Sequence, residues 1–393
     1  MLSKRDLTRQ VLQEGAVATV GNLSRALKKK KLKFDDFSIR DLAESLVVNR
    51  DGKPVGRSWV EQLSPRKSGG YSLREAATGV SLSHFANITG QIMYSKVMAG
   101  YQQEEFIADQ LVTTQTTEFS GEKVPGVGGL IDNVESIHEG MPYPQMGFGE
   151  DWVETPATIK RGVIIAVNKE AIFFDRTGLV LQRAGEVGEL IARNKEKRVL
   201  DVVLGVVNNY KWKGTSYNTY LTSGNWINAV ASITITDWNS IDTAEQLFVE
   251  MTEPVTGEPI VINPDTILHM PAKKHLFRQI VRATSLELRT QTSAQGTWGT
   301  NTVDDYTLLS SKFAYRRLLA AGVSAANAKL YWYMGQPKKA FAYMQNWGIT
   351  VEKAPDNSEP EFTQDIVLRW KASERGAAAV IDPRYMVKVY NVA

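Results

Sequence analysis

Between residues 118 and 160 the chain is broken by glycine or proline every few positions: Gly121, Pro125, Gly126, Gly128, Gly129, Gly140, Pro142, Pro144, Gly147, Gly149 and Pro156. No apolar period persists there long enough to make a core helix. Structureless loops beyond about 12–15 residues are uncommon inside compact domains, so this stretch is expected to reach outward as a long loop or hairpin. Over residues 119–158 it is expected to form a two-stranded projection, ordered by packing on something else. The nearest candidate is another copy of the same chain, with Lys123, Met141 and Trp152 as contacts.

The segment after the loop limits the fold further. Ile159 to Asn168 carries Gly-Val-Ile-Ile-Ala-Val, which reads as a strand buried on both faces. From Leu179 to about Val206, Val180, Ala184, Val187 and Ile191 recur in steps of three and four, and after the polar run Asn194 to Arg198 the pattern resumes at Val199, Leu200 and Val203. This spacing predicts one long helix, roughly 40 Å at 1.5 Å per residue.

The remaining elements are shorter. In residues 1 to 65, Ser38 and Asp41 resemble a capping box ahead of Ile39, Leu42, Ala43, Leu46 and Val47 on one helix face. Asp51-Gly-Lys-Pro54 breaks that helix, and Ser64-Pro65 through Gly70 reads as a linker. Residues 71 to 117 mix short helical patterns with a polar tail, Thr113 to Thr117, that suits an extended arm. Residues 211 to 242 are rich in aromatics and turn residues and suggest a β-rich module. Glu258 to Pro264 and Thr266 to Met270 are expected strands, and Pro271 starts an amphipathic helix through Leu276, Phe277, Ile280 and Val281. Lys329 to Met334 is strand-like and Pro337 to Trp347 helical. At the C-terminus Phe362, Gln364, Ile366, Leu368 and Trp370 share one strand face, and Tyr385, Val387 and Val389 another.

Charge is unevenly distributed. Residues 1 to 33 hold nine basic residues and two acidic ones, a net +7, and the other 360 hold 37 basic and 41 acidic, a net −4. Lys28 to Lys31 read either as a solvated helix end or turn or, with Arg25 and Lys33, as an arm against nucleic acid or an acidic surface. The longest apolar runs are about a third of the roughly 20 residues a bilayer span requires, so no membrane partner is expected. The first ten residues lead into no apolar segment of the kind a secretory signal has.

Little points to chemistry. The chain has no cysteine, which excludes disulfides, thiolate nucleophiles and iron–sulfur ligation. His269 and His275 are six apart across a proline, too far for metal ligands one turn apart on a helix. Pro125-Gly-Val-Gly-Gly-Leu lacks the spacing and the Lys-Ser/Thr of a phosphate loop, and Ser64-Pro-Arg-Lys67 lies in a proline-broken linker. No catalytic residue, metal or cofactor is expected, and the chain reads as a non-enzyme.

Three stretches carry a family resemblance. Lys160-Arg-Gly-Val-Ile-Ile-Ala-Val-Asn-Lys-Glu-Ala-Ile-Phe-Phe-Asp175 is similar to the strand that leads from the extended loop into the spine helix of tailed-bacteriophage major capsid proteins. Ile260-Val-Ile-Asn-Pro-Asp265 resembles the Asn-Pro turn of their axial domain, and Phe362 to Val389 the returning strands of their peripheral domain. The resemblance covers residues 118 to 393 and rests on order and spacing. It implies an α+β, Hong Kong 97-like capsid fold with a long spine helix, an extended loop (E-loop), an N-terminal arm, and peripheral and axial domains, plus an extra N-terminal helical segment. The implied divisions are an extra basic segment at 1–65, an N-terminal arm at 66–118, the extended loop at 119–160, a peripheral domain at 161–210 and 349–393 with its spine helix at 178–206, and an axial domain at 211–348.

The implied function is a virion subunit that self-assembles, in the host bacterial cytoplasm, into the icosahedral shell of a tailed phage around double-stranded DNA. Its implied partners are copies of itself as hexamers and pentamers, non-specifically bound DNA, and scaffolding, portal and decoration proteins. Arg25 and Lys28, Lys29, Lys30, Lys31 and Lys33 are expected to face the shell interior or an acidic neighbour, and residues 1 to 65 to persist rather than be cleaved. Some relatives lock their shells with lysine–asparagine isopeptide bonds. Here Asp365 stands where the acceptor would be sought, so a non-covalent shell is expected. The alternatives are an encapsulin-type nanocompartment shell, another phage structural component such as a portal or tube protein, and a carbohydrate-active protein using the aromatic module at 211–242.

Overall fold

In the computed structural model the described residues are 13, 92–102, 106–125, 151–168, 179–231, 233–253, 257–288, 297–301, 303, 305–353 and 366–391. The capping box, the basic run and the linker expected in residues 1–65 lie outside them, as do Met141 and Asp365. The chain divides into two compact units, one built from residues up to 103, 160–193 and 348–374, the other from 104–159, 194–347 and 375–393.

In the first unit the helix at 92–101 lies against the early turns of the long helix Leu179–Val203. Glycines make this approach possible. A Cβ on Gly188 would sit 2.0 Å from the Val97 carbonyl oxygen, and one on Gly100 would sit 2.1 Å from that of Gly185. Met93, Val97 and Ala184 are fully buried there. The strand Ile159–Asn168 also runs close to its neighbour, since a Cβ on Gly162 would meet the Ala372 carbonyl oxygen at 2.6 Å.

The second unit is organised on a five-stranded sheet. Its order is Thr307–Ser310, Thr266–His269, Trp332–Gly335, Met386–Tyr390, Ala229–Ala231, with parallel pairing at the two outer contacts and antiparallel pairing at the inner ones. Both Thr266–His269 and Trp332–Gly335 are buried at every position. The helices Asn239–Val249, Lys274–Val281 and Lys312–Ala320 contribute Ile241, Phe248, Phe277, Ile280 and Leu318 to the same core. Trp332 and Phe277 meet edge to face, 5.5 Å between centroids, an arrangement that adds to area burial alone.

A second sheet pairs four short antiparallel strands in the order Lys123–Pro125, Trp152–Glu154, Tyr210–Trp212, Thr215–Tyr217. Its last two strands join through Lys213 (φ 49°) and Gly214 (φ 82°), both left-handed, as a two-residue type I′ hairpin requires.

Several expectations are corrected. Ile159–Asn168 is a strand, but Ile159, Val163 and Ile164 are exposed by 54%, 42% and 63%, while Ile165 is buried. Among the described residues it ends the four-strand order Thr113–Thr116, Phe341–Lys353, Ile366–Val380, Ile159–Asn168. Pro337 to Trp347 is helical only over Pro337–Ala340, and Phe341 then begins a 13-residue strand. A strand wins because Phe341, Ala342, Tyr343 and Met344 are all buried, which suits pairing on both sides better than one stripe of a helix. Glu258 to Pro264 holds only an isolated bridge, Thr252 to Pro259. Thr113–Thr116 is extended, and it pairs as a strand parallel to Ala342–Gln345. The terminal strand Met386–Tyr390 pairs with Trp332–Gly335 in the sheet of Thr266–His269. The long helix stops at Val203, not Val206, because Gly205 takes a left-handed φ of 67° and the amides of Val206 and Val207 both turn back to the Asp201 carbonyl.

Candidate subunit interface

Pro125 and Asp151, the described residues that flank the expected loop, are brought side by side by the pairing of Lys123–Pro125 with Trp152–Glu154. This base is fastened in three layers. At its entry, Asn346 donates from Nδ2 to the carbonyls of Thr117 (2.8 Å) and Phe119 (3.0 Å). One step on, the Glu122 amide donates to Thr155 Oγ1 (2.9 Å) and the Thr155 amide to the Glu122 carbonyl (2.9 Å). At the top, Trp212 Nε1 donates to Asp151 Oδ1 (2.5 Å), and Lys211 Nζ pairs with Glu154 Oε2 (2.5 Å). The hydrogen bond from Lys211 holds the Glu154 carboxyl below its usual range, and the Lys123 charge adds to that.

Two of the expected contact residues therefore meet in this base. Lys123 Nζ sits 4.8 Å from the Trp152 ring centroid, a cation over an aromatic face, and both residues are partly buried or exposed rather than core. Met141 and the basic residues Arg25, Lys28, Lys29, Lys30, Lys31 and Lys33 lie outside the described residues.

Below the base lies a cavity of about 310 Å³ whose walls include Asp151, Trp212, Trp226, Glu253 and Arg384. Arg384 is bidentate to Asp382, 2.9 Å from Nε to Oδ1 and 2.8 Å from Nη2 to Oδ2. Asp382 and Arg384 thus form a matched ion pair in the cavity wall. His269 is a core residue: its Nδ1 lies 3.0 Å from the Met270 carbonyl oxygen, and its ring stacks on Phe277 at 5.0 Å. Among the described residues no group of three His, Cys, Asp or Glu could hold a metal ion, and no helix is long and apolar enough to cross a membrane.

The polar run in the long helix proves to be an anchor. Glu196 is fully buried, and its Oε2 accepts the Ala108 amide at 2.7 Å. Burial raises its carboxyl above the usual range, against the backbone hydrogen bonds that lower it. Lys195 is buried too, pairing with Asp109 Oδ1 at 2.7 Å and lying 4.8 Å from the Tyr343 ring centroid. Charged residues interrupting an apolar helix pattern signalled this, but could equally have been a solvated stretch.

A family model described as phage capsid protein matches residues 152–389. Among solved structures, the capsid of an empty GTA particle is similar at 12% identity, covering 74% of this chain and 91% of that one with a TM-score of 0.44. Mycobacterium phage Bobi gives 12% identity, 74% and 92% coverage and a TM-score of 0.44. A virus-like particle from Pyrococcus furiosus gives 8%, 76% and 98%, with a TM-score of 0.38. No curated protein matches the chain. The family match spans well over half of the sequence, from the second strand of the loop base to the terminal strand of the central sheet: this α+β chain belongs to the phage capsid protein family, the structural subunits of phage shells.

Proposed function

We propose that this chain repeats, as hexamers and pentamers, to form the icosahedral shell of a tailed phage around double-stranded DNA, with residues 119–160 lying over a neighbouring copy as the extended loop. The observation that carries this reading is the fastened base. Hydrogen bonds, an ion pair and a cation–aromatic contact hold Pro125 and Asp151 together, which gives the 25 residues between them a fixed point of departure. The exposed Ile159, Val163 and Ile164 of this strand Ile159–Asn168 support the same reading, because large apolar side chains left open on one chain offer a neighbouring copy surface to cover. Repeated contacts between identical subunits then close an assembly through many copies of one modest interface.

On this reading the five-stranded sheet forms the axial domain, and it includes the terminal strand Met386–Tyr390. Arg25 and Lys28 to Lys33 face the packaged DNA, where each lysine near a phosphate releases counterions and adds salt-sensitive attraction. Assembly takes place in the host cell before the shell is filled.

The test replaces residues 126–150 by a single glycine. That glycine and Asp151 would form a two-residue hairpin loop, preserving both strands of the base. The shortened chain should fold and melt like the parent but form no shells in electron micrographs. Normal shells would contradict the reading.

A further inference from the structure

Lys388 lies in the centre of the terminal strand, opposite Tyr333 on one side and Ala229 on the other. Its ammonium is surrounded by aromatic faces: Nζ is 5.7 Å from the Tyr220 ring centroid, 5.1 Å from Tyr331 and 5.3 Å from Tyr390. The cage is rigid. Tyr220 donates its hydroxyl to the Val203 carbonyl at 2.6 Å and packs on Tyr333 at 5.6 Å, while Tyr331 and Tyr390 meet edge to face at 5.8 Å. Rings attract a cation but do not neutralise it, and no carboxylate of the described residues lies within ion-pairing distance of Nζ. A half-buried ammonium without a counter-charge is costly, and burial pushes this one down to about 8.

One side of the cage is open. A pocket of about 270 Å³ adjoins Lys388, lined by Asn218, Thr222, Ser223 and Tyr390 among others, and most of its wall is polar. Thr222, Ser223 and Asn218 are exposed and bring hydroxyl and amide donors to the rim. A cation at the base, neutral donors at the rim and room for a few heavy atoms describe a receptor for a small oxyanion.

We propose that the pocket bounded by Lys388 and the loop Asn218–Ser223 is an oxyanion-binding site, taking a carboxylate or an inorganic tetrahedral anion as the counter-charge the lysine lacks. The anion reaches it either free from solution or as an acidic side chain of a second copy. The group would sit against Nζ, accept from the hydroxyls of Thr222 and Ser223, and leave the aromatic cage intact. Binding would hold the amine in its charged form, so occupancy should fall as pH rises past the point where the free amine loses its proton.

Sulfate is the appropriate probe, because it keeps its charge throughout the relevant range. The unassembled full-length chain is melted at pH 7.5 and pH 9.5 in rising sulfate at constant ionic strength. The parent should show a saturable rise in Tm of about 2–4 °C at pH 7.5 and less than half of that at pH 9.5. The Lys388→Met variant should lose the saturable part at both pH values, keeping only the general stabilisation that excluded salts produce. A double Thr222→Ala, Ser223→Ala variant leaves the lysine and its cage untouched, so it serves even if the first variant folds poorly, and should raise the half-saturating sulfate several-fold. Assembly in the same sulfate series separates the two sources. Slower assembly of the parent but not of Lys388→Met assigns the site to a neighbour's carboxylate, and unchanged assembly assigns it to a free anion. Identical melting of parent and both variants across the series, at both pH values, would overturn the proposal. Because the melting is done on single chains, that outcome would leave the shell reading standing.

Discussion

The strands Thr266–His269 and Trp332–Gly335 are buried at every position, whereas Ile159–Asn168, equally apolar in sequence, leaves Ile159, Val163 and Ile164 open. The first two are interior strands, flanked on both edges and covered by helices of the same unit. The third ends its sheet. Apolar content tells that a surface is to be covered and not by whom: the chain covers the central sheet itself, and on the proposed reading a second copy covers the strand after the loop. On that reading, burial within the single chain separates the part of the sequence that specifies a fold from the part that specifies an assembly.

The widest separation should come from truncating one residue in each region. Trp332→Ala removes a fully buried ring from the centre of the sheet and should cost about 3–5 kcal/mol in denaturant unfolding of the single chain. Ile164→Ala should change that stability by no more than about 0.5 kcal/mol yet sharply lower the yield of shells. If the two variants lost similar stability, the contrast between the strands would be wrong.

Backbone contact gives the next effect. Gly188→Val places a side chain on the Val97 carbonyl, with backbone rather than a movable side chain as the obstacle. Overpacking of this kind costs about 1–3 kcal/mol, and calorimetry should show it in the melting of the single chain. Glycine at Gly214, where a Cβ would meet nothing, is constrained by its φ of 82° alone, so Gly214→Ala should cost less.

Glu196 tests a polar anchor by the same logic. Glu196→Ala leaves the Ala108 amide without its acceptor and should cost about 1–3 kcal/mol. Glu196→Gln keeps an acceptor oxygen and removes the buried charge, so near neutral pH it should be tolerated much better. Because burial raises this carboxyl in the folded chain, its favourable contribution belongs to low pH and is lost as pH rises through the folded value. The difference between parent and Glu196→Gln should therefore narrow on acidification.

The smallest effect is electrostatic. Lys388 holds its proton to about pH 8 when folded and to 10.5 when unfolded, so the unfolded chain binds more protons in between. Its contribution to stability is complete above 10.5 and fades as pH falls through 8. Relative to Lys388→Met, the parent should gain stability between pH 8 and pH 10 in anion-poor buffer. A flat difference over that window would show that the amine is not desolvated.

The long helix, the strand Thr266–His269 and the helix Lys274–Val281 were legible because each repeats its apolar positions at one period over a whole element. What was not legible depended on partners distant in sequence. Phe341 to Met344 reads like helix until Thr113–Thr116 is seen to pair beside it. The run Asn194 to Arg198 looks like a solvated break until the amide of Ala108 is placed on Glu196. At the proposed interface, Lys123 and Trp152 stood out through their position at the ends of a glycine- and proline-broken stretch. Asp151, Trp212, Asn346 and Thr155, which fasten them, are scattered over some two hundred residues and carry no local signal.

The absence of cysteine from the chain makes the central claim directly measurable. Ile164→Cys introduces a single thiol on the exposed face of the strand Ile159–Asn168, and its rate of modification by a maleimide can be followed in unassembled chains and in shells. If a second copy covers this side of the strand, the thiol should react freely in the single chain and much more slowly in the shell, because a packed interface core excludes solvent and reagent. Equal rates in the two states would show that position 164 stays open in the shell and would contradict the account.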